Sequence, residues 1–368
     1  LCANSIALMR TLPPPAMPGT GGEATHPDCD WYKVPLLHKE GISYWPFFKF
    51  TVHYPGMEEK VKQSIHATLA YFDAFDYPLT KEEIFRFIYT EVSGGTEVFR
   101  QLQYLRHIQH KEGCYFLPGR EKIVEKRQRN IWFVERKMKR ALRGIKKLAR
   151  VPFVRAVFVC NTVAGVGVEE GSDIDVFIIV KKSRIFLARA MATFYLGLFN
   201  MRRTKRKIKN KICLSFYVAD DSLNLSVVAF EQDVYLMYWI SQLIPVYDPD
   251  NLLSSLQKAN TWVRKYLPNA FQSYDLIPRW KVVSGKVGNG IKKLLEKIWV
   301  GNYGDLIEKQ AKAMQLNKMK MNYMSVQDEK DTRVVVSDKM LKFHEKDRRL
   351  EYKKTWEKKC NKLIGLDV

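Results

Sequence analysis

The sequence predicts a mixed α/β (α+β) fold with helices laid on a mixed sheet, and three patterns point to it. Short apolar, strand-like segments at Phe153–Val159, Asp173–Val180 and Lys211–Val218 are separated by helical stretches, as in a covered sheet. Three helical patterns and a hairpin precede them. Helical periodicity resumes after Tyr247-Asp248-Pro249-Asp250, which predicts a helical C-terminal region. The expected division is 1–56, 57–120, 121–150, 151–248 and 249–368, since 368 residues exceed what one core usually organises.

The composition, 46% hydrophobic and 27% charged, belongs to folded chains and excludes the low-hydrophobicity class that stays disordered. A formal net charge of +22 directs attention to polyanionic partners, nucleotides and nucleic acids among them. The six cysteines are scattered without a C-x-x-C pair, so neither a disulfide framework nor a cysteine zinc site is expected, and a reducing, cytoplasmic setting fits. His107 and His110 near Cys114 lack a fourth ligand, and no zinc is assigned there. No stretch approaches the roughly 18 apolar residues of a membrane span, and no membrane partner is expected. The most apolar run, Ile185–Phe199, is apolar nearly all round and predicts a helix buried in a core.

Residues 1–56 carry Pro13-Pro14-Pro15 and Gly19-Thr20-Gly21-Gly22 without sustained periodicity. They are expected to be poorly ordered, or an extension ahead of a start at Met57. Val61, Ile65, Leu69 and Phe72 then fall at helical spacing up to Tyr77-Pro78-Leu79. Thr80 and Glu83 form a capping box that opens a second helix. Val98, Leu102 and Leu105 mark a third, and residues 111–119 read as strand-turn-strand. This order of three short helices and a hairpin resembles winged-helix domains. Residues 120–150 read as a long basic connecting helix, exposed to solvent, with Gly144 as a candidate hinge. Toward the C-terminus, residues 333–343 read as a strand and docking segment, and residues 345–362 as a solvated charged helix.

The chemistry concentrates in Gly171-Ser172-Asp173-Ile174-Asp175. In a strand of period two, Asp173 and Asp175 share one face while Ile174 and Val176 enter the other. Adjacent carboxylates repel unless a cation lies between them, and hard oxygen ligands suit Mg2+ or Mn2+. Upstream, the strand 153–159 runs into Asn161-Thr162, followed by the small-residue segment 163–167; ten residues separate Thr162 from Asp173. This succession resembles the signature of the DNA polymerase beta-like nucleotidyltransferases over residues 152–220.

The resemblance implies that Asn161, Thr162 and Ser172 position the phosphates of a nucleoside triphosphate while Asp173 and Asp175 hold metal. It also implies transfer of a nucleoside monophosphate to an acceptor hydroxyl, with release of pyrophosphate. Two departures matter. The family's Gly-Ser pair is Asn161-Thr162 here, which loses glycine's backbone freedom. The third carboxylate, expected mid-strand near Ser215, is absent from Lys211–Val218, and Asp220 and Asp221 lie past the strand end, where they are expected at the rim. A calcium loop needs further spaced oxygen ligands that the buried run 176–180 does not supply; a sugar-nucleotide glycosyltransferase is the other Asp-x-Asp reading.

The expected function is therefore a metal-dependent nucleotidyltransferase. The alternative is a nucleic-acid-binding or regulatory protein whose degenerate nucleotidyltransferase domain only binds nucleotide. The basic run Arg202–Lys211, seven cations in ten residues, is a candidate nucleic-acid surface.

Overall fold

The computed structural model describes residues 9–11, 57–90, 92, 94–161, 167–271, 274–320, 332–344 and 347–364. The expectations for residues 1–8, 12–56 and Thr162 lie outside the described residues. Strand β1 (Met9–Thr11) is antiparallel to β9 (Tyr274–Leu276).

The N-terminal part follows the periodicity closely. Helix α1 (Met57–Asp73) buries Val61, Ile65, Leu69 and Phe72. Thr80 caps α2 (Lys81–Arg86): its hydroxyl accepts from the Glu83 amide, and the Glu83 carboxylate accepts from the Thr80 amide at 3.0 Å. Helix α3 (Gly95–Tyr104) and the hairpin β3 (Gln109–Lys111) and β4 (Cys114–Phe116) follow. The short β2 (Leu79–Thr80) joins them in a sheet ordered β2-β4-β3. His107 meets His66 across 2.7 Å, and His110 stacks on Tyr115.

Helix α4 (Lys122–Leu148) leads into a six-stranded mixed sheet. Its strands are β5 (Val154–Val159), β6 (Ile174–Val180), β7 (Ile212–Ala219), β8 (Ile244–Tyr247), β10 (Val334–Val336) and β11 (Met340–Phe343), in the order β10-β11-β7-β6-β5-β8. Only β6 and β7 run parallel, joined by the crossover helix α5 (Ile185–Leu198). The edge strand β8 is absent from the sequence reading, where its Pro245 and the flanking turn residues gave no strand signal.

Alternation along the strands divides two cores. Ile174, Val176, Ile178 and Val180 face α4 and α5, together with Ile145, Leu148 and Ala188. Phe177 and Ile179 face the other side, where Phe158, Phe216, Trp239 and Tyr238 continue into Tyr71 and Phe72 of α1. On this side lie α6 (Val234–Ser241) and α10 (Arg349–Ile364). Helix α10 is half-embedded: Trp356 is buried and donates from Nε1 to the Ala67 carbonyl at 2.8 Å, so the solvated-helix reading of 345–362 is corrected for that face. The remaining helices are α7 (Leu252–Ala259), α8 (Lys286–Ile298) and α9 (Gly301–Lys320); within 333–343, where a strand and docking segment was expected, β10 and β11 join the main sheet, so the region 249–368 is not purely helical.

Two more expectations change. Helix α5 buries Ile185, Ala188, Ala192 and Leu196 but exposes Phe194 and Leu198, so it lies on the sheet and is not enclosed. Gly144 is no hinge: α4 runs unbroken through it, and a Cβ there would lie 1.9 Å from Ile212 Cδ1, so glycine permits the close approach of helix to strand. Among the described residues, no helix is long and apolar enough to cross a membrane.

Candidate metal and nucleotide site

The site forms where β6 begins. Lys137, buried on α4, reaches under the entering loop and donates from Nζ to the Ser172 carbonyl at 2.6 Å and to Asn210 Oδ1 at 3.2 Å. The Asn210 amide donates to the same Ser172 carbonyl at 3.1 Å. With its carbonyl thus engaged, Ser172 also donates its hydroxyl to the Glu169 carbonyl at 3.0 Å and closes the turn. The strand itself starts at Ile174, one residue after Asp173.

Asp173 and Asp175 project to the same side, and the parallel register sets Cys213 of β7 opposite Asp175. A carboxylate oxygen of each aspartate and the Cys213 sulfur lie within 4.8 Å of one another. A register irregularity follows: Asp175 and Phe177 pair with Cys213 and Phe216, so β7 holds one residue more than β6 in this interval. The residue opposite Asp175 is therefore Cys213, while Ser215, near which a third acid was expected, falls in the bulged interval.

The charge around the pair is only partly balanced. Arg203 Nε lies 2.8 Å from Asp173 Oδ2, and the same guanidinium reaches the Cys213 sulfur at 3.7 Å. Burial and the neighbouring Asp173 push the Asp175 carboxyl up to about 6, against hydrogen bonds from Asn161 and Cys213. Burial and Asp175 push the Cys213 thiol up to about 12, so without a metal it is a neutral hydrogen-bond donor.

Asn161 takes a left-handed φ of 54°, a conformation asparagine tolerates better than most side chains, which answers the loss of glycine at this position. Its side chain turns toward Asp175, and its Oδ1 accepts from the Tyr235 hydroxyl at 3.2 Å. Arg203, Cys213 and Tyr235 were missed by sequence reasoning. Arg203 was counted with the basic run, and Tyr235 lies 60 residues beyond Asp175, in a helix without a motif.

Asp220 and Asp221 are not brought to the site. Asp220 caps the far end of β6, accepting from the Lys182 amide at 2.9 Å, and Asp221 is exposed beside Ser222. Five residues of strand, about 16 Å, separate Asp175 from Val180 at that end.

A cavity of about 150 Å³ adjoins the pair through Asn161. Phe216, Tyr235, Trp239 and Tyr352 line it, with Tyr235 and Tyr352 stacked at 5.3 Å. Its cations are already matched: Lys342 contacts Asp347 at 3.1 Å, Arg349 contacts Asp347 at 2.8 Å and Asp233 at 2.6 Å, and Arg348 pairs with Glu351. His344, held at 3.4 Å from Ser215, is neutral because burial and Lys342 push it down to about 4.

Comparison of the chain with protein-family models, curated proteins and solved structures returned no match.

The donor set can be judged on its own chemistry. Two carboxylates and the nearby Asn161 amide suit one hard divalent cation that keeps several water ligands, as Mg2+ does. Among the described residues, Cys213 is the one further group that stands with the two aspartates.

Proposed function

We propose that this chain binds a nucleoside triphosphate through one divalent cation, Mg2+ or Mn2+, at a centre of the DNA polymerase beta-like nucleotidyltransferase type. The observation that carries the reading is the convergence of Asp173, Asp175 and Cys213 within 4.8 Å. Two carboxylates pressed together repel, and Arg203 offsets only part of that charge. A cation bridging them would take its remaining ligands from water and phosphate oxygens. The cavity beside Asn161 has aromatic walls and internally neutralised charges, which suits a planar, uncharged ring such as a nucleobase.

Binding without efficient transfer is the reading we favour. A transferase needs a base within reach of the acceptor hydroxyl. Among the described residues, Asp220 and Asp221 lie elsewhere, Asp347 is engaged by Lys342 and Arg349, and His344 is a weak base. Transfer of a nucleoside monophosphate is the second reading, favoured by the intact aspartate pair. The N-terminal helices and hairpin have the winged-helix element order. We read them as a packing module, because Tyr71 stacks on Tyr238 at 3.9 Å and Tyr238 donates to the Phe87 carbonyl at 3.0 Å.

Calorimetric titration with each nucleoside triphosphate, in Mg2+ and in EDTA, tests the reading, with pyrophosphate release followed in parallel. Mg2+-dependent binding that is lost in Asp173→Asn/Asp175→Asn, without pyrophosphate release, is expected. Equal binding in EDTA contradicts the metal centre, and sustained pyrophosphate release establishes transfer instead.

A further inference from the structure

The basic helix α4 is more than a connector. Arg129, Trp132, Arg136, Arg140 and Arg143 recur at intervals of three and four residues, so they share one face over about 21 Å of helix. The basic loop before β7 folds against that face. Arg136, Arg140 and Arg143 line a cleft of about 380 Å³ with Lys209, Asn210 and Lys211. Asn210 is also the residue that holds the Ser172 carbonyl, so the cleft borders the loop carrying Asp173.

Five cations facing one space repel one another. Burial, Arg140 and Lys207 depress the Lys211 amine, and burial, Lys209 and Arg136 depress Lys137 beneath it, against Asp173 and Glu170. Among the described residues, one carboxylate meets this group at the rim, Glu170, 2.5 Å from Lys209. Next to the row stands Trp132, 58% exposed, with the Arg136 guanidinium 5.2 Å from its ring.

We propose that this cleft binds the phosphate backbone of a single-stranded polynucleotide, with a base stacked on Trp132. The site deepens the nucleotide-binding reading by naming a polymer beside that centre; its role there rests on that reading. Three features select this occupant. The cations line a concavity, which a flat bilayer cannot enter, and the face carries one aromatic ring where a membrane helix needs an apolar stripe. An exposed ring next to a cation row is the arrangement that tracks single strands by stacking and charge together. A duplex keeps its base faces stacked and offers Trp132 nothing.

The test uses the full chain in EDTA without nucleotide, so that its outcome is independent of the metal centre. Fluorescence anisotropy follows a labelled 20-mer single strand, a duplex of equal length and, by co-sedimentation, vesicles containing anionic lipid. Arg136→Gln/Arg140→Gln/Arg143→Gln is compared with Lys353→Gln/Lys358→Gln/Lys362→Gln, which removes equal charge from α10. The first variant should flatten the slope of log affinity against log salt by about 2, at roughly 0.7 per phosphate contact on a single strand. The second should leave it unchanged. Trp132→Ala should weaken single-strand binding by about 5- to 150-fold at an unaltered slope. Arg143→Gln alone, at an exposed position, should lower the slope by about 0.7 should the triple variant fail to fold. The proposal is overturned by absence of single-strand binding at low salt or by equal losses in the two triple variants. It is equally overturned by duplex or vesicle binding as tight as single-strand binding with no effect of Trp132→Ala.

Discussion

Two acidic pairs, one with Asp347 in the wall of the aromatic cavity and one reached from it through Asn161, are treated in opposite ways by the protein around them. Asp233 and Asp347 are held by cations from the chain itself, with Arg349 between them at 2.6 and 2.8 Å and Lys342 on Asp347. Asp173 and Asp175 have one partly exposed arginine at 2.8 Å from Asp173, and Asp175 is left with hydrogen bonds from neutral groups. The first pair is a closed network that fastens α10 to the start of α6. The second is open, and on the proposed reading a bound cation supplies its balancing charge. A carboxylate cluster is thus read as structural or ligand-binding by where its counter-charge resides, not by the number of its acids.

The largest consequence lies in the closed network. Arg349→Met leaves the buried Asp233 without a cation and Asp347 with Lys342 alone, and unfolding stability should fall by about 3–5 kcal/mol, read from the urea midpoint. A loss below about 1 kcal/mol would make the two pairs alike and dissolve the contrast.

The open pair should behave in the reverse sense. The folded-state Asp175 carboxyl, near 6, lies above its ordinary value of 3.8, so the metal-free native protein holds a proton that the unfolded chain has released. This group therefore favours folding at low pH, and its contribution is lost as pH rises from about 4 to about 6. Asp175→Asn lacks this loss, so at pH 7 without metal it should exceed the wild type by about 1–3 kcal/mol, and the gap should close on acidification. A gap independent of pH would show that Asp175 is not strained by its neighbour.

A smaller effect sharpens the account of the missing acid. Cys213→Asp puts a third carboxylate opposite Asp175, and Mn2+ should bind roughly tenfold more tightly, about 1.4 kcal/mol. Unchanged affinity would show that Cys213 does not face the cation.

The sequence carried the helices of the N-terminal part because Val61, Ile65, Leu69 and Phe72 repeat with the helical period, and Thr80 with Glu83 announces a start. It also carried the aspartate pair, since alternation in a strand is local. What escaped it depends on pairing between distant segments. The strand β8, the partner that the expected strand at 333–343 finds in β7, and the register that sets Cys213 opposite Asp175 are long-range facts. Gly144 looked like a hinge because the strand that requires it, through Ile212, lies 68 residues away. Arg203 was indistinguishable from its basic neighbours until the bridge between Arg202 and Ile212 set its direction.

The most direct measurement is the urea stability of the wild type and Asp173→Asn/Asp175→Asn at pH 7, each in EDTA and in millimolar Mg2+. A pair built to receive its charge from outside predicts that the double variant is the more stable protein in EDTA. It also predicts that Mg2+ stabilises the wild type and leaves the variant unmoved. A variant that is weaker in EDTA and gains as much from Mg2+ as the wild type would contradict it.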